Sequence, residues 1–220
     1  MTAQPQLKTP TPSESLVGQA AYHFPEADSR LLRLAWWVSQ IGSPPILGLT
    51  GILLVGAALG FTQFWPLILF YGSLTLLLPL GFILWLLQRG QVSDYNLTRR
   101  EERFLPMLVS IATALFGWLY LNQVHAPALL LALAVTNLAQ SVVYFFITLR
   151  WKVSIHSAVA AGLAVLGCAI AGETVWLLVL SVPLIAWSRV LLRRHTLAQT
   201  VVGAAIGSLF LAFALLFYGV

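Results

Sequence analysis

Three short stretches hold most of the side chains in this sequence that could do chemistry. Residues 93–103 read Ser93-Asp94-Tyr95-Asn96-Leu97-Thr98-Arg99-Arg100-Glu101-Glu102-Arg103. Residues 150–157 contain Arg150, Lys152, Ser154 and His156, and a third stretch runs from Ser188-Arg189 to Arg193-Arg194-His195 and on to Gln199. Arginine presents a planar fork of donors that matches phosphate oxygens two at a time, and histidine serves as nucleophile, acid or base near neutral pH. If the three stretches meet, they can grip an anionic head group. The competing reading is plainer: basic residues beside apolar segments commonly fix membrane topology and touch lipid head groups. His23 and His125 lie away from these stretches and are assigned no role.

The elements that must position these groups follow from composition. Of 220 residues, 59% are hydrophobic and only 9% charged, 12 Lys+Arg against 7 Asp+Glu. The mean hydropathy is +0.87. A soluble domain carries about 25% charged residues. So sparse a set of charges cannot solvate the outside of a globule, which excludes a soluble enzyme, a coiled coil, a disordered chain and a secreted disulfide scaffold. The lone Cys168 can form neither an intramolecular disulfide nor a cysteine metal cluster. The net charge of +5 raises nucleic acid as a partner, but the basic residues cluster where apolar segments end, so no nucleic-acid partner is expected.

The expected fold class is all-α, a polytopic transmembrane helical bundle of about seven spans. A crossing needs roughly 20 apolar residues at about 1.5 Å each. Residues 1–29 hold Pro5, Pro10 and Pro12 and no sustained apolar run, and read as a polar tail without the charged-then-apolar form of a signal peptide. Residues 30–220 form the membrane domain. Within it, residues 30–40 mix leucines and two tryptophans with two arginines, which suits a helix lying in the interface. Spans are expected at 45–60, 65–87, 104–121, 127–149, 157–171, 175–191 and 200–220. The fifth is rich in small residues (Ala158, Ala161, Gly162, Ala164, Gly167) and is expected at the bundle centre.

With seven spans, every Lys and Arg falls on the N-terminal side, and the opposite loops carry only Glu173. The positive-inside rule then puts the N-terminus and all three polar stretches in the cytoplasm, with a bacterial inner membrane the expected location.

Ser188-Arg189, five residues, His195, three residues and Gln199 resembles the third signature of the type 2 phosphatidic acid phosphatase superfamily, Ser-Arg-x5-His-x3-Asp. Its second signature, Pro-Ser-Gly-His, resembles Val153-Ser154-Ile155-His156. The first, Lys-x6-Arg-Pro, keeps Arg103, with Asn96 at the lysine position and Phe104 at the proline. Gly203 and Gly207 continue the small-residue helix that follows the third motif in the family. The resemblance spans about 94–207 and implies a six-helix phosphatase-like core. It also implies a lipid phosphatase working without metal or other cofactor through a phosphohistidine, on a prenyl or other lipid phosphate or diphosphate. Carried over by position, His195 is the nucleophile and His156 the acid. Arg103, Arg189 and Ser154 hold phosphoryl oxygens, with Asn96 and Lys152 as further substrate contacts. Gln199, where the family has Asp, orients the nucleophilic ring without lending it charge. Asp94 or Glu102 from the first stretch, and Arg99, Arg100 or Lys152, are candidates for the missing acid and lysine.

Two functions therefore stand: a membrane lipid phosphatase, and a weak or inactive relative that binds an anionic lipid or assists a membrane complex. Both have lipid phosphate and membrane lipids as their partners. An intramembrane prenyltransferase would need acidic clusters for Mg²⁺, whereas Asp28 and Asp94 are the only aspartates. A channel or transporter would need charged relay groups inside the spans, where Asn137 and Gln140 instead suit helix–helix hydrogen bonds.

Overall fold

The computed structural model describes residues 29–97 and 99–220. The polar tail lies outside the described residues apart from Ser29. The described chain is all-helical. An amphipathic helix α1 (Ser29–Ile41) turns at Gly42 into α2 (Pro44–Leu59). A long rod follows, α3 (Phe61–Gly72) and α4 (Leu78–Gln88), joined through a π-helical turn at Ser73–Leu77. Then come α5 (Phe104–Gln123), α6 (Ala128–Thr148), α7 (Ile155–Ala171), α8 (Trp176–Leu191) and α9 (Leu197–Tyr218).

Among the described residues, four helices are long and apolar enough to cross a bilayer: Thr62–Gln88, Glu101–Gln123, Ala128–Thr148 and Leu197–Tyr218. Arg30–Ile41 and Pro44–Leu59, bent 44° apart, make a fifth if taken as one span. α7 and α8, at 17 and 16 residues, are about 25 Å long, short of a 30 Å hydrocarbon core. By length and composition the structure thus supports four or five crossings, against the seven expected. Apolar runs mark all seven segments in the sequence, charge-free except for Arg189 in the sixth, but two of the helices stop early.

The shortness of α7 goes with its position. Ala158, Ala160, Ala161, Leu163, Ala164 and Leu166 are all buried, so the helix is the centre of the bundle, wrapped by α2, α8 and α9. α9, by contrast, exposes Leu209, Phe213, Leu216 and Phe217 on its outer face. Its inner face carries Gly203 and Gly207, where an added Cβ would overlap the backbone carbonyls of Ser154 and Ala158. Backbone-to-backbone approach through small residues is how membrane helices gain packing when burying apolar surface gains little over lipid. Gln140 of α6 donates to the Gly207 carbonyl at 3.2 Å, and Asn137 to the Tyr71 hydroxyl of α3 at 3.4 Å. These are the expected inter-helix hydrogen bonds.

The π turn has a cause in Pro79. Proline has no N–H and its ring crowds the carbonyl four residues back, that of Thr75. The ladder widens there, and Leu78 N–H pairs with the Ser73 carbonyl five residues back. Chain reversals then bring the ends of α4, α6 and α8 and the starts of α2, α5, α7 and α9 to one end of the bundle.

Candidate functional site

At that end all three polar stretches open onto one cavity of about 400 Å³. Its mouth is formed by Tyr95, Asn96, Arg103, His156, Arg189 and His195. Its depth is mainly apolar, between Leu47 and Ile52 of α2, Leu80 and Ile83 of α4, Leu133 of α6 and Leu166 of α7, with a few hydroxyl and amide side chains among them. The shape is amphiphilic, with a cationic cap over a greasy interior.

The third stretch is built by two consecutive helix-end motifs. α8 closes with Arg194 N–H on the Arg189 carbonyl (3.0 Å) and Arg193 N–H on that of Val190 (2.9 Å). This is the paired bonding of a Schellman turn, with Arg193 in the left-handed position at φ 53°. The same Arg189 carbonyl accepts His195 N–H at 3.2 Å, so the turn delivers His195 beside Arg189. Thr196 then caps α9. Its hydroxyl accepts Gln199 N–H (3.3 Å), while Gln199 Oε1 accepts Thr196 N–H (3.2 Å). This is a capping box, which satisfies two orphan donors at once. The same Oε1 lies 3.0 Å from His195 Nδ1. A carbonyl oxygen can only accept, so Nδ1 carries the proton and Nε2 keeps its lone pair.

His195 is 7% exposed. Burial pushes its pKa down to about 3, with the positive charge of Arg189, and less strongly those of Arg103 and Lys152, acting the same way against the Gln199 hydrogen bond. The ring is therefore neutral at pH 7, the form a nitrogen nucleophile requires.

Ser154 caps α7, its hydroxyl accepting Ser157 N–H at 3.3 Å and Ser157 Oγ–H at 3.1 Å. His156 follows in the first turn of the helix, on the cavity wall. Ser154 N–H donates to the Gln199 carbonyl at 3.1 Å, which ties the second stretch to the third. In the first stretch, Asp94 Oδ1 accepts Asn96 N–H (2.8 Å) and Leu97 takes a left-handed φ of 50°. The Leu97 carbonyl is thereby turned to accept Arg103 Nε–H at 2.8 Å.

Arg103 and Arg189 are 6% and 5% exposed, and the bonds that hold them go to neutral groups, Arg103 to the Leu97 carbonyl and Arg189 Nη1–H to the Ser39 hydroxyl at 2.7 Å. Arg189 Nε and His156 Nε2 are buried with no hydrogen-bond partner among the described residues. Two buried cations at one cavity mouth, one of them Arg189 with its Nε–H unspent, are costly alone and are relieved by an anion.

Of the residues predicted from sequence, His195, His156, Arg103, Arg189 and Asn96 line this cavity. Ser154, Lys152 and Gln199 stand behind it. Ser154 is a helix cap, and Gln199 both caps α9 and holds His195. Lys152 lies close enough to Arg103 and Arg189 for their charges to lower its pKa, though burial is the larger cause and Glu101 opposes both. Sequence reasoning missed Ser39, Gln40 and Tyr95 as site residues. α1 packs on α8 with Gly42 against Ile185, so that Ser39 reaches Arg189 and Gln40 Oε1 accepts the Tyr95 hydroxyl at 2.6 Å. The available signal was the period of α1: Ala35 and Ser39, four apart and both buried, face inward, while Leu34, Trp37 and Ile41 are exposed.

Comparison with protein-family models, with curated proteins and with solved structures finds no match to this chain.

Proposed function

We propose that this chain is an integral membrane lipid phosphatase of the type 2 phosphatidic acid phosphatase kind. In this reading His195 is the nucleophile. The observation that carries the reading is the cavity mouth: a neutral, Nδ1-anchored His195, a second histidine and two buried arginines, drawn from three separate stretches of the chain, cap a mainly apolar cavity.

In the reaction, Arg103 and Arg189 take the non-bridging phosphoryl oxygens, and negative charge developing there in the transition state meets donors already in place. His195 Nε2 attacks phosphorus, an N–P bond forms and the P–O bond to the lipid breaks. His156, buried beside Arg189 and His195, takes up a proton as the phosphate dianion binds and gives it to the departing lipid oxygen. A water molecule then attacks the phosphohistidine with His156 as base, and inorganic phosphate leaves. Gln199 holds the ring in the attacking tautomer throughout, with Thr196 N–H fixing the amide in turn. Asn96 and Tyr95 line the rim beside the phosphate.

In the same proposal the bundle crosses the membrane seven times. α1 lies in the cytoplasmic interface and the short helices α7 and α8 span with the support of their neighbours. The distribution of Lys and Arg favours a cavity mouth on the cytoplasmic side. The neutral Gln199 favours a second reading, a relative that binds lipid phosphate without turning it over, because its amide cannot stabilise an imidazolium as a carboxylate does.

Phosphate release from prenyl and glycerolipid phosphates, in detergent with chelator, separates the two. Chelator-resistant release by the wild type that disappears in His195→Ala supports the phosphatase. Tight lipid-phosphate binding without release supports the second reading, and absence of both would sink the two together.

A further inference from the structure

Below its cationic mouth the cavity is not uniformly apolar. Tyr144, on α6, lines the wall and is 5% exposed, and its hydroxyl has no hydrogen-bond partner among the described residues. Thr136, eight residues nearer the start of α6 and so about 12 Å deeper, is likewise a wall residue, 6% exposed, with an unpartnered hydroxyl. A buried hydroxyl left unpaired costs about 1–3 kcal/mol. Of the two, Tyr144 is the one near the mouth, and its hydroxyl points to a ligand that accepts a hydrogen bond there.

Tyr144 is well placed to meet such a group just below the phosphate. It packs in one cluster with Val153 and Ala158, the residues that flank Ser154 and His156. It also sits four residues, about one turn, inside the end of α6. A purely hydrocarbon chain would leave the hydroxyl desolvated and unpaired in the occupied state too. An acyl ester places a carbonyl oxygen within a few bonds of the phosphate, and its chain continues between Leu47, Ile52, Leu133 and Leu166.

Resting on the lipid-phosphate reading above, we infer that Tyr144 is a specificity-determining residue that donates a hydrogen bond to an ester carbonyl near the head group. The cavity therefore selects ester-linked lipid phosphates over ether-linked and prenyl ones.

The test is binding to the purified full chain, so that it does not depend on turnover. The probes are three phosphonates: a diacylglycerol phosphonate, its dialkyl ether counterpart and a prenyl phosphonate, each measured against wild type, Tyr144→Phe and Arg189→Gln. Wild type is expected to bind the diacyl probe about three- to tenfold more tightly than the ether, as one hydrogen bond would give. Tyr144→Phe is expected to erase that preference while binding the ether and prenyl probes as wild type does. Equal binding of ester and ether by wild type, or a preference that survives in Tyr144→Phe, overturns the assignment of Tyr144. Arg189→Gln reports on the mouth independently. If it binds all three probes as wild type does, or if wild type binds none, the phosphate reading fails and this one fails with it.

Discussion

Gln199→Glu changes one atom pair and nothing in side-chain length, so its consequence can be worked from the observed geometry. Oε1 already lies 3.0 Å from His195 Nδ1 and 3.2 Å from Thr196 N–H. A glutamate keeps both contacts, keeps the capping box, and places its charge favourably in the first turn of α9. An opposite charge this close raises a basic group's pKa by about 1–3 units. His195, held at about 3, should then titrate between about 4 and 6. At 1.36 kcal/mol per unit this is about 1.4–4 kcal/mol of added stabilisation for the cationic ring that the proposed attack of Nε2 on phosphorus creates. The chemical step should accelerate about ten- to a thousandfold. The carboxylate also repels a phosphate dianion, so KM should rise while kcat rises more. The assays are steady-state phosphate release in detergent with chelator, and a titration of the ¹⁵N-labelled histidine ring in the same detergent. A pKa that moves upward with kcat unchanged or reduced would refute the reasoning, because the ring would then have gained a counter-charge that the reaction does not use.

Other consequences follow from the same contacts. Ser39→Ala removes the hydroxyl that holds Arg189 Nη1 and should raise KM for a lipid phosphate about five- to thirtyfold, more than it lowers kcat, with Ser39→Thr restoring it; steady-state kinetics measures this. Because His195 has a lower pKa folded than the usual 6.5, the unfolded chain takes up the proton first. Stability from this group is complete above about pH 6.5 and is lost as pH falls toward 3, about 2 kcal/mol by pH 5. Thermal unfolding of His195→Gln in detergent should accordingly drop less between pH 7 and pH 5 than that of the wild type. Gly207→Ala drives a methyl into the Ala158 carbonyl and should destabilise the fold by about 1–3 kcal/mol, read as a lower melting temperature; an unchanged one would mean α7 and α9 can part at no cost.

Much of this architecture is legible in the sequence. Long charge-poor runs mark the helices, and the small residues of 157–171 mark the central one, because close backbone approach leaves its signature in residue size. The parity of the apolar segments brought the three polar stretches to one end, where five of the eight predicted site residues line the cavity. What the sequence hid is tertiary. Ser154 reads as a phosphate ligand by motif, yet at a helix start a serine hydroxyl has a nearer partner in the backbone. Gln199 reads as a single substitution, yet its amide serves a helix cap and a histidine with one oxygen. Ser39 reaches Arg189 only because α1 folds back on α8, and no spacing rule links residues 150 positions apart. The count of crossings was the weakest inference, since apolarity sets which segments avoid water but not where a helix ends.

A bond between His195 and phosphorus can be trapped by rapid quenching during turnover. With a ³²P-labelled lipid phosphate, the wild type should carry label that survives alkali and is released by acid, as a phosphohistidine does. His195→Asn should carry none and release no phosphate, while still binding the lipid. Phosphate released at the wild-type rate by His195→Asn, or label that persists on it, would contradict the account.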